Sequence, residues 1–126
     1  MRRILVIEDE FLVAVHIDFI LVQEGHEVIG PVGTLDEALQ LANDEALDCA
    51  LLDVNLDGGR VDDVAAILDR RGVPFIFVTG YGRDNLPQNF REAVIVDKPF
   101  QDQDLLREVQ RLVMQSSARE SGKRAK

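Results

Sequence analysis

The sequence predicts a doubly wound α/β sandwich: a five-stranded parallel sheet with helices on both faces. Two observations carry this. Ile4-Leu5-Val6-Ile7, Cys49-Ala50-Leu51-Leu52, Phe75-Ile76-Phe77-Val78 and Ala93-Val94-Ile95-Val96 are unbroken apolar runs, the pattern of strands buried on both faces of a parallel sheet. Helical patterns lie between them, so strand and helix alternate along the chain. Right-handed crossovers then place the strands in the order 2-1-3-4-5.

Each element has a local reason. Phe11–Glu24 reads as the first helix, stopped by Gly25. Its expected core stripe is Leu12, Val15, Phe19 and Val22. Val13, Ile17 and Ile20 are then apolar surface beyond what one face needs, either a broad core contact or, as such an excess often signals, a partner site. Glu27–Gly30 is a short second strand. Thr34-Leu35-Asp36-Glu37 is a capping box, the threonine oxygen taking one free N–H and the glutamate reaching back to another. It opens a helix to about Glu45, with Leu35, Ala38, Leu39 and Ala42 at core spacing. After the Gly58-Gly59 loop, Val61, Val64, Ala65 and Leu68 line one helical face, closed by Gly72 before Pro74. Gly80, Gly82 and Pro87 punctuate the stretch between Thr79 and Ala93, leaving a short or poorly ordered fourth helix. Asp104–Gln115 is the last helix, burying Leu105, Leu106, Val109, Leu112 and Val113. The expectation is therefore five strands and five helices, one of them marginal.

At 126 residues and 46% hydrophobic, the chain suits one domain over residues 1–115. Residues 116–126 carry four cations against one anion, a net +3, and have no apolar periodicity, so they read as a disordered basic tail. The formal net charge is −9, which leaves −12 on residues 1–115 and argues against a nucleic-acid binder. The longest apolar stretch, Phe11–Val22, is interrupted by His16 and Asp18, so no membrane span is expected. No signal-peptide cleavage site follows Met1-Arg2-Arg3. The single Cys49, inside an apolar run, reads as a buried core thiol and fits a reducing cytoplasm. His16 and His26 read as exposed, and neither has a zinc-type spacing.

In an open parallel sheet, ligands bind at the carboxyl ends of the strands. Here the four runs lead into Glu8-Asp9, Asp53, Thr79 and Asp97-Lys98-Pro99, which brings carboxylates, a hydroxyl and an ammonium to one spot. Two carboxylates about 4 Å apart repel by roughly 4 kcal/mol at an effective dielectric of 20. A bound cation relieves that repulsion, and hard oxygen ligands with open positions favour Mg²⁺ together with phosphate. Neither histidine stands at a strand end, so a phosphoryl acceptor in this set must be a carboxylate, which can form an acyl phosphate.

The pattern Glu8-Asp9, Asp53, Thr79 and Lys98-Pro99-Phe100 resembles the response-regulator receiver domain of two-component signalling, over essentially residues 2–115. That resemblance implies a flavodoxin-like (βα)5 fold, with Asp53 as the phosphoacceptor. It also implies Mg²⁺ on Asp9, Asp53 and the carbonyl of Asn55, with Glu8 acting mainly through water. Thr79 and Lys98 would hold phosphoryl oxygens, and Lys98–Pro99 would be a cis peptide. Pro74-Phe75-Ile76-Phe77-Val78-Thr79-Gly80-Tyr81 is similar to the string that names the FATGUY receivers, with Val78 where alanine is usual. These are often single-domain cytoplasmic proteins served by HWE-type and related sensor histidine kinases, which dock near helix 1. A downstream protein partner, no nucleic acid or membrane, and a monomer or weak dimer are the expected company. Ile95 takes the place of the usual switch aromatic, and the Thr79–Lys98 span is a few residues short. Both departures set the chain apart from the standard threonine–aromatic switch and leave the phosphorylation chemistry intact. Tyr81 is either a substitute switch aromatic or a ring packed on the surface.

Taken singly, Asp53 would be a turn or cap residue, Thr79 a helix cap and Lys98 a weak surface ion pair. Their joint occurrence at strand ends is what makes a site. A phosphatase of the haloacid-dehalogenase type is the enzymatic alternative, but it needs an aspartate two residues after the nucleophile, where Asn55 stands. A phosphorylation-independent binding module is the other, and the complete acid, threonine and lysine set speaks against it. A signalling domain that catalyses only its own phosphoryl transfer and dephosphorylation is the expectation.

Overall fold

A computed structural model describes residues 2–124, with side chains through Ser117. Five parallel strands form the sheet: β1 Arg3–Ile7, β2 Glu27–Val32, β3 Cys49–Leu52, β4 Phe75–Thr79 and β5 Ile95–Asp97. Their spatial order is β2-β1-β3-β4-β5, as the strand and helix alternation predicts. Side chains alternate between two cores. Ile4, Val6, Cys49, Leu51, Ile76 and Val78 face one, against helices α1 (Phe11–Gln23) and α4 (Asp102–Arg124). Leu5, Ile7, Ala50, Leu52 and Phe77 face the other, against α2 (Leu35–Asp44) and α3 (Asp62–Arg71). Burial on both faces is why these strands read as continuous apolar runs.

The α2 cap forms, with a variation. Thr34 Oγ1 accepts from the Glu37 N–H at 3.2 Å, but its hydroxyl also donates to Glu37 Oε1 at 2.9 Å, in place of the expected reach to a backbone N–H. Gly72, with φ of 72°, ends α3 in the left-handed conformation.

The core stripe of α1 is the reverse of the expected one. Ala14, Ile17, Ile20 and Leu21 are buried, whereas Leu12 is 80% and Phe19 61% exposed, with Phe11, Val15 and Val22 also in solvent. Apolar residues run almost round this helix, so two stripes satisfy the 3.6-residue period. The stripe containing the small Ala14 is the one packed on the sheet. Ile17→Ala is expected to cost about 2–5 kcal/mol and Leu12→Ala within about 0.5 kcal/mol, read from urea unfolding midpoints.

Other boundaries also shift. β2 runs on to Val32, past a bulge where Leu5 pairs with Ile29 and Ile7 with Val32. Gly30, at φ of 99°, makes this possible, since a Cβ there would sit 2.9 Å from the Val6 carbonyl oxygen. β2 is an edge strand, so Pro31 removes no ladder donor that the sheet needs. Asn55–Leu56 and Gly59–Arg60 pair as a short antiparallel ribbon around the expected glycine loop.

Between β4 and β5 there is no α-helix, only 3₁₀ turns at Arg83–Asn85 and Gln88–Phe90. The described chain therefore has four α-helices rather than five. The last of them starts at Asp102 and passes the expected end at Gln115, continuing to Arg124. Ser116 is buried with its Oγ 3.5 Å from Asp48 Oδ1, and the Arg2 guanidinium donates to Ser117 Oγ, which holds the start of the expected tail against the sheet's amino end. Residues 125–126 of that tail lie outside the described residues. Cys49 is buried, as expected, and His16 is exposed. His26 is half-buried instead of exposed, and burial lowers its pKa.

Candidate functional site

The parallel ladder carries on one residue beyond the strands and so aligns their polar ends. Glu8 N–H donates to the Val32 carbonyl at 2.8 Å, Asp53 N–H to Ile7 at 2.8 Å, and Lys98 N–H to Thr79 at 3.0 Å. Glu8, Asp53 and Thr79 are buried, while Asp9 and Glu10 stand at the rim. Gly33 lets the β2–α2 connection close over the acid pair, because a Cβ there would meet Asp9 Cα at 3.0 Å.

One carboxylate oxygen from each of Glu8, Asp9, Glu10 and Asp53 lies within 4.8 Å of the others. Lys98 enters from β5 through a cis Lys98–Pro99 bond, as the motif implies. Its Nζ lies 2.7 Å from Glu8 Oε1, 2.7 Å from Glu10 Oε1 and 3.4 Å from Asp53 Oδ2. The Glu8 contact is one of charge alone, since Oε1 has no aligned hydrogen-bond donor among the described residues. Glu8 Oε2 accepts from the Glu10 N–H at 3.0 Å, and Asp53 Oδ1 from the Val54 N–H at 2.8 Å.

Four carboxylates against one ammonium leave a surplus of negative charge, each pair at this spacing repelling by roughly 3–4 kcal/mol at an effective dielectric of 20. Burial and this surplus of negative charge shift the acids of the site. Burial, reinforced by Glu8, pushes the Asp53 carboxyl up to about 6, against the opposing pull of Asp9 and Lys98. Burial and the neighbouring Asp53 raise Asp9 as well. Burial alone would lower Lys98, but the Glu10 and Glu8 carboxylates outweigh it and hold the ammonium charged. An oxygen-rich, over-negative pocket of this kind fits a divalent cation.

The structure thus brings Glu8, Asp9, Asp53 and Lys98 together. Thr79 sits one strand away, paired in register with Asp97, with its Oγ1 accepting from the Tyr81 N–H at 3.1 Å. Asn55 lies on the ribbon opposite Arg60. Tyr81 is 69% exposed and lines a groove of about 610 Å³ with Lys98, Phe100, Leu12 and His16. Ile95 is apart from the acids, packed on the α2 and α3 side of the core. Glu10 is the member that motif reasoning missed, although its place directly after Glu8-Asp9 at a strand end is the signal that finds it.

A buried aspartate ending the third strand, an acid pair ending the first and a cis lysine–proline ending the fifth define a receiver-type signalling fold. The chain belongs to the response regulator receiver domain family, whose match covers residues 4–110. It is 32% identical to the transcriptional regulatory protein PdtaR of Mycobacterium tuberculosis over 83% of this chain and 53% of that protein. It spans about half the length of the curated relatives it matches. The solution structure of SdrG from Sphingomonas melonis Fr1 superposes with a TM-score of 0.78 at 34% identity, covering 90% of this chain and 97% of SdrG. The receiver domain of the sensor histidine kinase PA1611 from Pseudomonas aeruginosa PAO1, described with a magnesium ion in its active-site cleft, superposes with a TM-score of 0.74 at 24% identity, covering 89% and 97%. The fold, the receiver assignment and the FATGUY-type resemblance therefore stand. Receiver domains are signalling domains that exchange contacts with histidine kinases and downstream proteins, and they bind Mg²⁺ at an acidic pocket of this kind.

Proposed function

We propose that this chain is a phosphorylatable response regulator that takes a phosphoryl group on Asp53 from a sensor histidine kinase. The observation that carries the reading is the single one of Lys98 closing a four-carboxylate cluster around a buried Asp53. In the transfer, an Asp53 carboxylate oxygen forms a bond to phosphorus as the bond from phosphorus to the donor imidazole nitrogen breaks. Lys98 and the Thr79 hydroxyl supply donors to the phosphoryl oxygens. Asp9, Asp53 and the Asn55 carbonyl would hold Mg²⁺, with Glu8 acting through water. When bound, the cation supplies the positive charge that lets a dianionic group join these acids.

The exposed apolar face of α1, with Phe11, Leu12, Val15, Phe19 and Val22, suits docking of a kinase helix. The FATGUY-like string supports a kinase of the HWE type or a related one, acting in the cytoplasm. Among the described residues no helix is long and apolar enough to cross a membrane. Residues 1–115 would be the receiver unit, working as a monomer or weak dimer through a downstream protein.

The test is incubation with a small phosphodonor, followed by intact mass and peptide mapping. One phosphoryl group on Asp53 is expected with Mg²⁺ and none with a chelator. Asp9→Ala should slow the uptake by weakening metal binding. A label at any other residue, or uptake without a divalent cation, would sink the reading.

A further inference from the structure

Glu10 has no task in the phosphoryl chemistry above, yet it makes one of the two shortest contacts to Lys98 Nζ, at 2.7 Å. The three anionic partners of that ammonium are not equivalent. The Glu8 side chain is 1% exposed and fixed, and Asp53 is the residue to be modified. The Glu10 side chain is 60% exposed, on a backbone held by its own N–H bond to Glu8 Oε2, so its carboxylate can swing into water without disturbing the fold. Lys98 donates hydrogen bonds to Glu10 and Asp53, and an arriving phosphoryl oxygen on Asp53 competes with the Glu10 carboxylate for the same ammonium.

We infer that Glu10 is a positioning residue that occupies Lys98 in the unphosphorylated protein and is displaced by the phosphoryl group, so that it restrains phosphorylation of Asp53. This rests on the functional reading above and adds the regulation of that site. At Lys98 one N–H to carboxylate contact is exchanged for one N–H to phosphoryl contact, with no proton transferred. The covalent step remains the formation of the bond from Asp53 oxygen to phosphorus as the donor's bond to phosphorus breaks.

The experiment uses the full chain, saturating Mg²⁺ and acetyl phosphate below saturation, with the rate of mass gain as readout and Mg²⁺ affinity followed separately by amide shifts. Half-exposed ion pairs are modest, so Glu10→Gln should speed uptake about fivefold. Glu10→Asp keeps the charge but shortens the reach, and should give much of the same gain. In a Lys98→Ala background the effect of Glu10→Gln should vanish, with Mg²⁺ affinity unchanged throughout. The inference is overturned by an unchanged rate in Glu10→Gln. It is overturned equally by a gain that persists without Lys98, which indicates a field effect on the donor, or by a large loss of Mg²⁺ affinity, which makes Glu10 a metal ligand. If the unsubstituted chain takes no phosphoryl group on Asp53, the functional reading itself fails, and this arm is read before any variant.

Discussion

Asp53→Asn is expected to abolish phosphoryl uptake and, in the same protein, to raise the stability of the metal-free fold at pH 7.5. Asp53 has a pKa of about 6 in the folded chain, and about 3.9 is usual for an unfolded aspartate. The folded state therefore binds the proton more tightly. The favourable contribution of this group is fully present below about pH 4 and is lost as pH rises through 6. By pH 7.5 the ionised carboxylate costs about 3 kcal/mol, the product of roughly two pKa units and 1.36 kcal/mol per unit.

Asparagine has the same shape, carries no charge and keeps an oxygen for the Val54 N–H now bound at 2.8 Å. Lys98 loses only its longest contact, at 3.4 Å, and keeps Glu8 and Glu10 at 2.7 Å. Chemical unfolding in a chelator should show Asp53→Asn more stable at pH 7.5 by up to about 3 kcal/mol, or about 10 °C in thermal midpoint, and level with the parent below pH 4. Saturating Mg²⁺ should close the gap from the other side, because it stabilises the parent more than the variant. A variant less stable than the parent at pH 7.5 would mean that the attraction of Lys98 outweighs the burial of Asp53.

What could be read from residues alone follows from how many physical constraints bear on each element. β1, β3 and β4 are buried on both faces, which leaves only apolar residues possible and makes the runs plain. The ends of those runs converge by topology, so Glu8, Asp9, Asp53 and Lys98 were legible as a cluster. α1 was legible as a helix but not in its orientation, since a helix apolar almost all round carries no information about which stripe meets the sheet. β2 reads as ending at Gly30 because a bulge with a proline looks like a stop, although an edge strand tolerates both. The end of α4 is not legible because Ser116 and Ser117 look like solvent residues until Asp48 and Arg2, far away in sequence, meet them. Glu10 falls outside the motif, which ends one residue earlier.

The segment from Gly80 to Glu92 is expected to be the part of the molecule that changes most on phosphorylation. With a partly buried Ile95 packed against the core, β5 carries no ring that can turn from buried to exposed at that position. The neighbouring loop has the requisite looseness instead. Gly80, Gly82 and Pro87 leave it little helix propensity, and it holds only two single 3₁₀ turns. It is also pinned more firmly than its composition suggests. Leu86 is buried, Phe90 packs edge-on to Phe75 at 5.4 Å, and Arg83 donates to the carbonyls of Arg91 and Ala93 at 2.7 and 2.8 Å. Gly80 to Asn85, by contrast, buries no side chain and is held only by hydrogen bonds at its surface, with Tyr81 in solvent.

That part is tied to the acid site at both ends. Thr79 Oγ1 accepts from the Tyr81 N–H, and a hydroxyl can keep this bond while donating to a phosphoryl oxygen, so a shift of Thr79 carries Tyr81 with it. At the other end the Arg60 guanidinium, opposite Asn55 in the ribbon, donates to the Asn85 carbonyl at 2.9 Å. One charge-assisted hydrogen bond is enough to shift a segment whose open states lie close in free energy. Hydrogen exchange should show amides 81–85 exchanging fast in the unmodified protein and about tenfold or more slowly with Mg²⁺ and a beryllofluoride mimic on Asp53. Arg60→Ala should leave the phosphorylation of Asp53 intact but shrink the protection gained at 83–86, because it cuts the tie without touching the acids. Equal, strong protection of 81–85 in both states would exclude an order change here and leave the altered surface charge around Asp53 as the signal.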